Sequence, residues 1–377
     1  MPDVLLLCEY ATLSGGERSM LATFEGLQTA GLVPTVAGPS TGPLADALRR
    51  QSVARLPFSL HDANGKRLPQ ARLREQLARM IRRQRPDLLH ANSLSMGRLS
   101  GPVAAELGLP SIAHLRDIIK LSRQAVADLN RHTRLLAVSR AVRDSHVAGG
   151  LAAEKTRVLH NGVDLRQFQP RPPSGYLHRQ LGLPPEAPLV GTIGQICLRK
   201  GQDVLARAAA ILANDLPGDL ADVHYLIVGQ RYSGKGESRQ FEADLHAAAT
   251  GPLAERLHFL GDRDDVDRIL NELTLLAHPA RQEPLGRVLL ESAAAGVAVV
   301  ATDVGGTREI FPPGSQSARL VPPHDPDSLA WAIAELIRDE SLRERLGAAA
   351  RCRAEEDFDA PRAAAALADH YRQVIGP

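Results

Sequence analysis

Strands and helices alternate along the whole 377-residue chain, and this alternation predicts an α/β protein built from two doubly wound domains. Three observations carry that reading. Short runs rich in Leu, Val and Ile recur with helical segments between them, the series occurs twice, and a stretch dense in proline separates the two occurrences. In the first series the strands are expected at Val4–Cys8, Thr35–Ala37, Leu88–His90, Ser111–Ala113, Leu135–Val138 and Arg157–Leu159, with helices such as Arg72–Arg83 and Arg140–Val147 between them. In the second they are expected at Leu189–Ile193, Tyr225–Val228, His258–Leu260, Leu275–Ala277, Val297–Ala301 and Arg319–Val321. Such βαβ units imply parallel sheets, and two such series imply two Rossmann-like domains.

The divider is Gln169–Pro188, QPRPPSGYLHRQLGLPPEAP, whose prolines prevent one long element. The expected domains are residues 1–170 and 171–360, with an amphipathic helix at 361–377 returning to complete the first. Each sheet places its working loops at the carboxyl ends of its strands. Two sheets facing one another would then enclose a cleft for a small ligand.

Composition supports this architecture. Hydrophobic residues make up 44% and aromatics only 3%, so the core must be aliphatic, as buried parallel strands require. Cys8, Cys197 and Cys352 are odd in number and widely spaced, which argues for reduced thiols and against a zinc site. The opening MPDVLLLCEY carries Asp3 in place of a basic leader, and no apolar run reaches bilayer length. A cytoplasmic protein is expected. Residues 1–172 hold 24 Lys and Arg against 14 Asp and Glu, while the remainder holds 21 against 29. The basic first half suits peripheral contact with an anionic membrane face or a charged acceptor, and equally suits solvated helix faces.

The densest chemical signal is Glu283-Pro-Leu-Gly-Arg-Val-Leu-Leu-Glu291, followed by Ser292-Ala-Ala-Ala-Gly296 and Val299-Val-Ala-Thr-Asp303-Val-Gly-Gly306. A strand leads into a loop in which Pro284 and Gly286 allow an abrupt helix start. The amides of the first turn, around Gly286, Arg287 and Val288, form an anion site strengthened by the helix dipole. Glu283 stands before that helix and Glu291 two turns along it. Carboxylates for hydroxyls, with amides for phosphate between them, match what a nucleotide sugar presents. An isolated pair of glutamates at this spacing would more often be a capped helix with one exposed carboxylate.

Taken whole, this string resembles the signature of the retaining family-4 glycosyltransferases, which have the GT-B fold and are also known as glycosyl transferases group 1. It departs from that signature at Ser292 and Ala298, neither of which supplies a ligand-binding side chain. The resemblance extends along the chain. Ser14-Gly15-Gly16-Glu17 resembles the family's first glycine loop, Leu89-His90-Ala-Asn92 and Ala113-His114 its two histidine-bearing strand ends, and Gly194-Gln195-Ile-Cys-Leu-Arg199-Lys200-Gly201 its diphosphate loop. His160-Asn161-Gly162-Val163-Asp164 and Ser139 resemble turns and caps read as structural.

The resemblance implies a glycosyltransferase moving a hexose-type sugar from a UDP- or GDP-linked donor to a glycan, a lipid-linked or a small-molecule acceptor, with no nucleic acid involved. It implies catalytic roles for His114, Glu283 and Lys200. It implies donor contacts from Gly15, Gly16, Gln195, Arg199, Lys200, Leu285, Gly286, Arg287, Val288 and Glu291. Gln195 occupies the place of the family's arginine, and Arg199 could restore that charge. No DxD metal motif stands at a strand end, and Asp262-Arg-Asp264-Asp265 reads as a helix-capping loop. No cofactor or metal is therefore expected. A nucleotide-sugar epimerase or a phosphorylase would share the fold, as would a non-catalytic nucleotide-sugar binding protein.

Overall fold

The structure is a computed structural model that describes residues 1–376 apart from Ala63, Leu216, Pro217, Asp219 and Ala221. The chain divides into two compact units, Met1–Gly162 with Ala360–Pro377, and Val163–Asp359. The division falls at the Asn161-Gly162 turn, a few residues ahead of the proline-dense stretch.

The first unit carries β1 (Asp3–Leu7), β2 (Val33–Gly38), β3 (Ala54–Pro57), β4 (Leu88–Ala91), β5 (Ser111–Leu115), β6 (Arg134–Ala137) and β7 (Thr156–Val158). They form one sheet in the order β3-β2-β1-β4-β5-β6-β7, with every pair parallel. β3 was absent from the expected strands. It reads Ala-Arg-Leu-Pro, lacks β-branched residues, ends in proline and pairs only with β2 at the sheet edge, so no propensity announces it. The central strands β4 and β5 are buried at every position, as strands covered on both faces must be.

Between strands, serines start the helices. Ser93, Ser122 and Ser139 each accept a hydrogen bond from the amide three residues on, at 3.2, 3.2 and 3.0 Å. The terminal helix Ala360–Ile375 belongs to the first unit. Its Leu367, Ala368 and Tyr371 join Phe24, Leu27 and the β1 residues Val4 and Leu6 in one core.

The second unit carries β8 (Leu189–Ile193), β9 (His224–Val228), β10 (Leu257–Gly261), β11 (Leu275–His278), β12 (Val299–Thr302) and β13 (Arg319–Val321). Their order is β10-β9-β8-β11-β12-β13, again all parallel. In both sheets the chain winds outward in one direction and then restarts in the other. The reversals lie between β1 and β4 and between β8 and β11. Ligands of open α/β sheets bind beyond the carboxyl ends of strands at such switch points. Among the described residues no helix is long and apolar enough to cross a membrane.

Candidate active site

In the second unit the switch point brings together the loops after β8 and β11. The β8 loop passes through a tight turn at Leu198–Lys200 and reverses at Gly201, whose φ is +69°. A Cβ there would lie 1.9 Å from the Pro279 carbonyl oxygen, so only glycine lets the two loops meet. The Arg281 amide donates to the Arg199 carbonyl (2.8 Å), and the Arg281 guanidinium grips Asp203 at 2.7 and 2.6 Å. These contacts fix Lys200 against Glu283.

Glu283 is only 5% exposed, and its Oε2 accepts from Lys200 Nζ at 2.5 Å and from His278 Nε2 at 2.9 Å. Arg199 Nη1 stands 3.9 Å from the same oxygen while donating to the Gln282 carbonyl at 3.2 Å. Burial alone would raise the Glu283 carboxyl. Lys200 foremost, with His278 and Arg199, outweighs that and holds it well below the ordinary carboxylate range. Burial, and after it the Lys200 charge, lower His278 as well, which for an imidazole favours the neutral ring. The backbone of Glu283 is pinned as well, since its carbonyl accepts from the Gly306 amide at 2.9 Å.

Beyond Glu283 the chain turns at Gly286 into the helix Arg287–Ala294, whose start no side chain caps. The Val288 and Leu289 amides precede its first intrahelical bond, from the Leu290 amide to the Gly286 carbonyl (3.1 Å), and so form an anion-attracting end. Leu285 is buried behind this turn. Glu291, 7% exposed, accepts from Arg287 Nε at 2.6 Å, so Arg287 orients a carboxylate. Gln195 is attached to the same loop through its backbone, its carbonyl accepting from Gln202 Nε2 at 2.9 Å. The cations beside Glu283 are Lys200 and Arg199. Asp265 stands at the start of the helix Val266–Glu272 as a capping residue would, but its carboxylate is taken by Arg263 (2.8 and 2.7 Å) and Tyr176 (2.9 Å). Among the described residues no group of three or more His, Cys, Asp or Glu is arranged to hold a metal ion.

In the first unit the groups beyond the switch point are of another kind. Gly15 and Gly16 open the helix Gly15–Leu21, and the Ser14 hydroxyl bonds Glu17 there. His90 on β4 and His114 on β5 stack with ring centroids 5.5 Å apart. His90 Nδ1 lies 2.6 Å from the Tyr371 hydroxyl of the terminal helix. Burial, then Arg116, then His132 drive His90 down to about 3, and burial, Arg116 and His90 hold His114 well below its ordinary value. Both rings are neutral.

Arg116, two residues beyond His114, organises this end. Its Nε and Nη2 donate to the Asn92 carbonyl (3.1 Å) and Oδ1 (2.7 Å), and Nη1 donates to Asn161 Oδ1 (2.9 Å). Burial lowers it to about 10, with Glu17 opposing, so it stays cationic at neutral pH. Asn161, read from sequence as a turn former, is thus also a partner in this network. Arg116 and His278 were both missed. The available signal for Arg116 was the period of two along a strand, which puts positions 114 and 116 on one side of the chain.

Residues 13–167 match the model of Glycosyltransferase Family 4, and residues 176–353 that of Glycosyl transferases group 1. The lipopolysaccharide core biosynthesis mannosyltransferase LpsB of Rhizobium meliloti is 30% identical over 282 residues, 71% of this chain and 77% of that one. A D-inositol 3-phosphate glycosyltransferase of Streptomyces scabiei is 29% identical over 309 residues, 77% of this chain and 68% of that one. Among solved structures, Anabaena HepE in complex with UDP and glucose superposes with a TM-score of 0.86 at 25% identity, covering 98% of this chain and 99% of that one. The protein is a glycosyltransferase of the GT-B type. It belongs to glycosyltransferase family 4.

Proposed function

We propose that this enzyme transfers a hexosyl group from a nucleotide-diphosphate sugar to a hydroxyl acceptor, with retention of anomeric configuration and without a metal ion. The observation that carries it is the cluster of Lys200 and Arg199 around ionised Glu283, beside the uncapped helix end at Val288. A leaving diphosphate finds there two cations and helix amides, which do the work a divalent ion would otherwise do. Glu291 accepts from the donor ribose, and Glu283 orients sugar hydroxyls. His114 offers its side chain to the donor sugar. Gly15 and Gly16 let backbone amides approach the diphosphate.

In the reaction the acceptor oxygen bonds to the anomeric carbon as the bond to the diphosphate oxygen breaks. The acceptor proton passes to that leaving phosphate oxygen on the same face. The complexes of HepE with UDP and glucose and with UDP-glucose favour a UDP-linked donor over a GDP-linked one. For the acceptor, the named relatives act in lipopolysaccharide core synthesis and on D-inositol 3-phosphate, which favours a glycan, a lipid-linked or a phosphorylated small-molecule hydroxyl. The helix Gln70–Gln84 buries Leu73, Leu77 and Ile81 and exposes Arg72, Arg79, Arg82 and Arg83, a face suited to an anionic membrane surface on the cytoplasmic side.

The test is to incubate the chain with UDP- and GDP-linked hexoses in EDTA and follow nucleotide release, then read the anomeric configuration of any transferred product by NMR. Nucleotide release with an α-configured product from an α-configured donor is expected. Activity that needs added Mg²⁺ or Mn²⁺, or an inverted product, contradicts the reading.

A further inference from the structure

We propose that Arg116 is a positioning residue that fixes the tautomer and ring orientation of His114, presenting its Nε2–H as a hydrogen-bond donor; this rests on the role toward the donor sugar proposed above for His114. A guanidinium can only donate, and Arg116 Nη2 lies 3.2 Å from His114 Nδ1. Nδ1 is therefore the acceptor, and the proton of a neutral ring must sit on Nε2.

That Nε2 is buried and has no hydrogen-bond partner in the protein. A buried donor without an acceptor is a cost that a fold keeps where a ligand meets it. Arg116 itself is not placed to serve as the ligand's receptor. Its bonds to Asn92, Asn161 and His114 use all but one of its N–H groups. Its side chain also runs close to Gly16, where a Cβ would stand 3.1 Å from Arg116 Cδ. Arg116 is a frame, and the His90 ring stacked at 21° holds His114 from its face.

The assignment constrains the chemistry. An Nε2–H donates to a sugar oxygen and cannot take a proton from the acceptor hydroxyl. His114 is therefore not the general base, in keeping with proton transfer to the leaving phosphate. The titratable and charged groups around the pair are His90 and His370 for His114, and Glu17, Cys8, Asp117 and Tyr371 for Arg116.

The experiment uses the full chain labelled with 15N-histidine, His114 being assigned by its loss in His114→Ala. Long-range 1H–15N spectra should show a pyrrole-like Nε2 and a pyridine-like Nδ1 from about pH 5.5 to about pH 8. In Arg116→Met, where no donor faces Nδ1, the Nε2 and Nδ1 signals should move toward one another as the two tautomers mix, and Arg116→Lys, which keeps a donor, should fall between. In transfer assays Arg116→Met should lose between about tenfold and a hundredfold in kcat. The double variant Arg116→Met/His114→Ala should then be no slower than His114→Ala alone. An Nδ1–H tautomer or an imidazolium in the unmodified chain overturns the proposal, as do losses that multiply in the double variant. The spectrum needs no variant of Arg116 to fold. Should His114→Ala keep full turnover, the donor role of His114 falls, while the spectrum still decides the tautomer.

Discussion

At the carboxyl edge of the first sheet His90 and His114 are held neutral, whereas at the corresponding edge of the second Glu283 is held ionised, although all three side chains are buried. Desolvation pushes each of them toward its neutral form. The sign of the neighbour decides the outcome. Arg116 beside a histidine acts with burial, and Lys200 beside a glutamate acts against it. The first edge is thereby suited to hydrogen bonds of fixed direction, and the second to charge that develops on a departing diphosphate.

Four changes break or sharpen this contrast, and the largest effect is expected at Lys200. Lys200→Ala removes the cation nearest Glu283 and should lower kcat about a hundredfold or more, read in steady-state transfer or donor hydrolysis. Turnover near that of the unmodified chain would mean that the diphosphate charge is met elsewhere. Glu291→Ala should weaken donor binding by about 1–3 kcal/mol in calorimetry, since in its proposed role it is a charged acceptor for the ribose. Unchanged affinity would remove Glu291 from the site. Arg199→Ala should slow turnover about tenfold and Gln195→Ala much less, because the Arg199 guanidinium reaches toward Glu283 whereas Gln195 brings no charge. The reverse order would return the phosphate contact to Gln195.

The remaining expectation concerns stability. Below about pH 6.5 unfolded imidazoles bind protons that folded His90 and His132 refuse until about 3 and about 4, so stability falls as pH falls across that window. The slope is at most about 1.4 kcal/mol per pH unit for each ring. Glu283, whose folded carboxyl is depressed, adds its own loss only as pH drops below the unfolded value of 4.5. Thermal unfolding followed from neutral pH downward should therefore begin to shift before the carboxylates titrate. A melting temperature constant down to pH 5 would contradict the neutral, buried rings.

How far the sequence could be read depends on the range of the interactions involved. The alternation of apolar runs placed twelve of the strands, because a buried parallel strand must be apolar throughout, while β3 at an edge carries no such requirement. The string Glu283–Glu291 was legible because one turn and one helix place both carboxylates. The Arg116 network was not, since Asn92, His114 and Asn161 come from three different loops and strand ends, and only the sheet order makes them neighbours. His278 was hidden for a related reason. A histidine ending a buried strand reads as core until Glu283 is seen 2.9 Å from its ring. The place of Arg199 lay between these cases: its charge was visible, and its direction required the Gly201 reversal.

The central claim, that the second unit receives the nucleotide diphosphate between Lys200 and the helix beginning at Arg287, is tested most directly by hydrogen–deuterium exchange with and without UDP, and with GDP as a second arm. Binding by one of these nucleotides should slow exchange in residues 195–203 and 283–291. Binding that leaves both segments unprotected, or protects only segments of the first unit, would contradict the account.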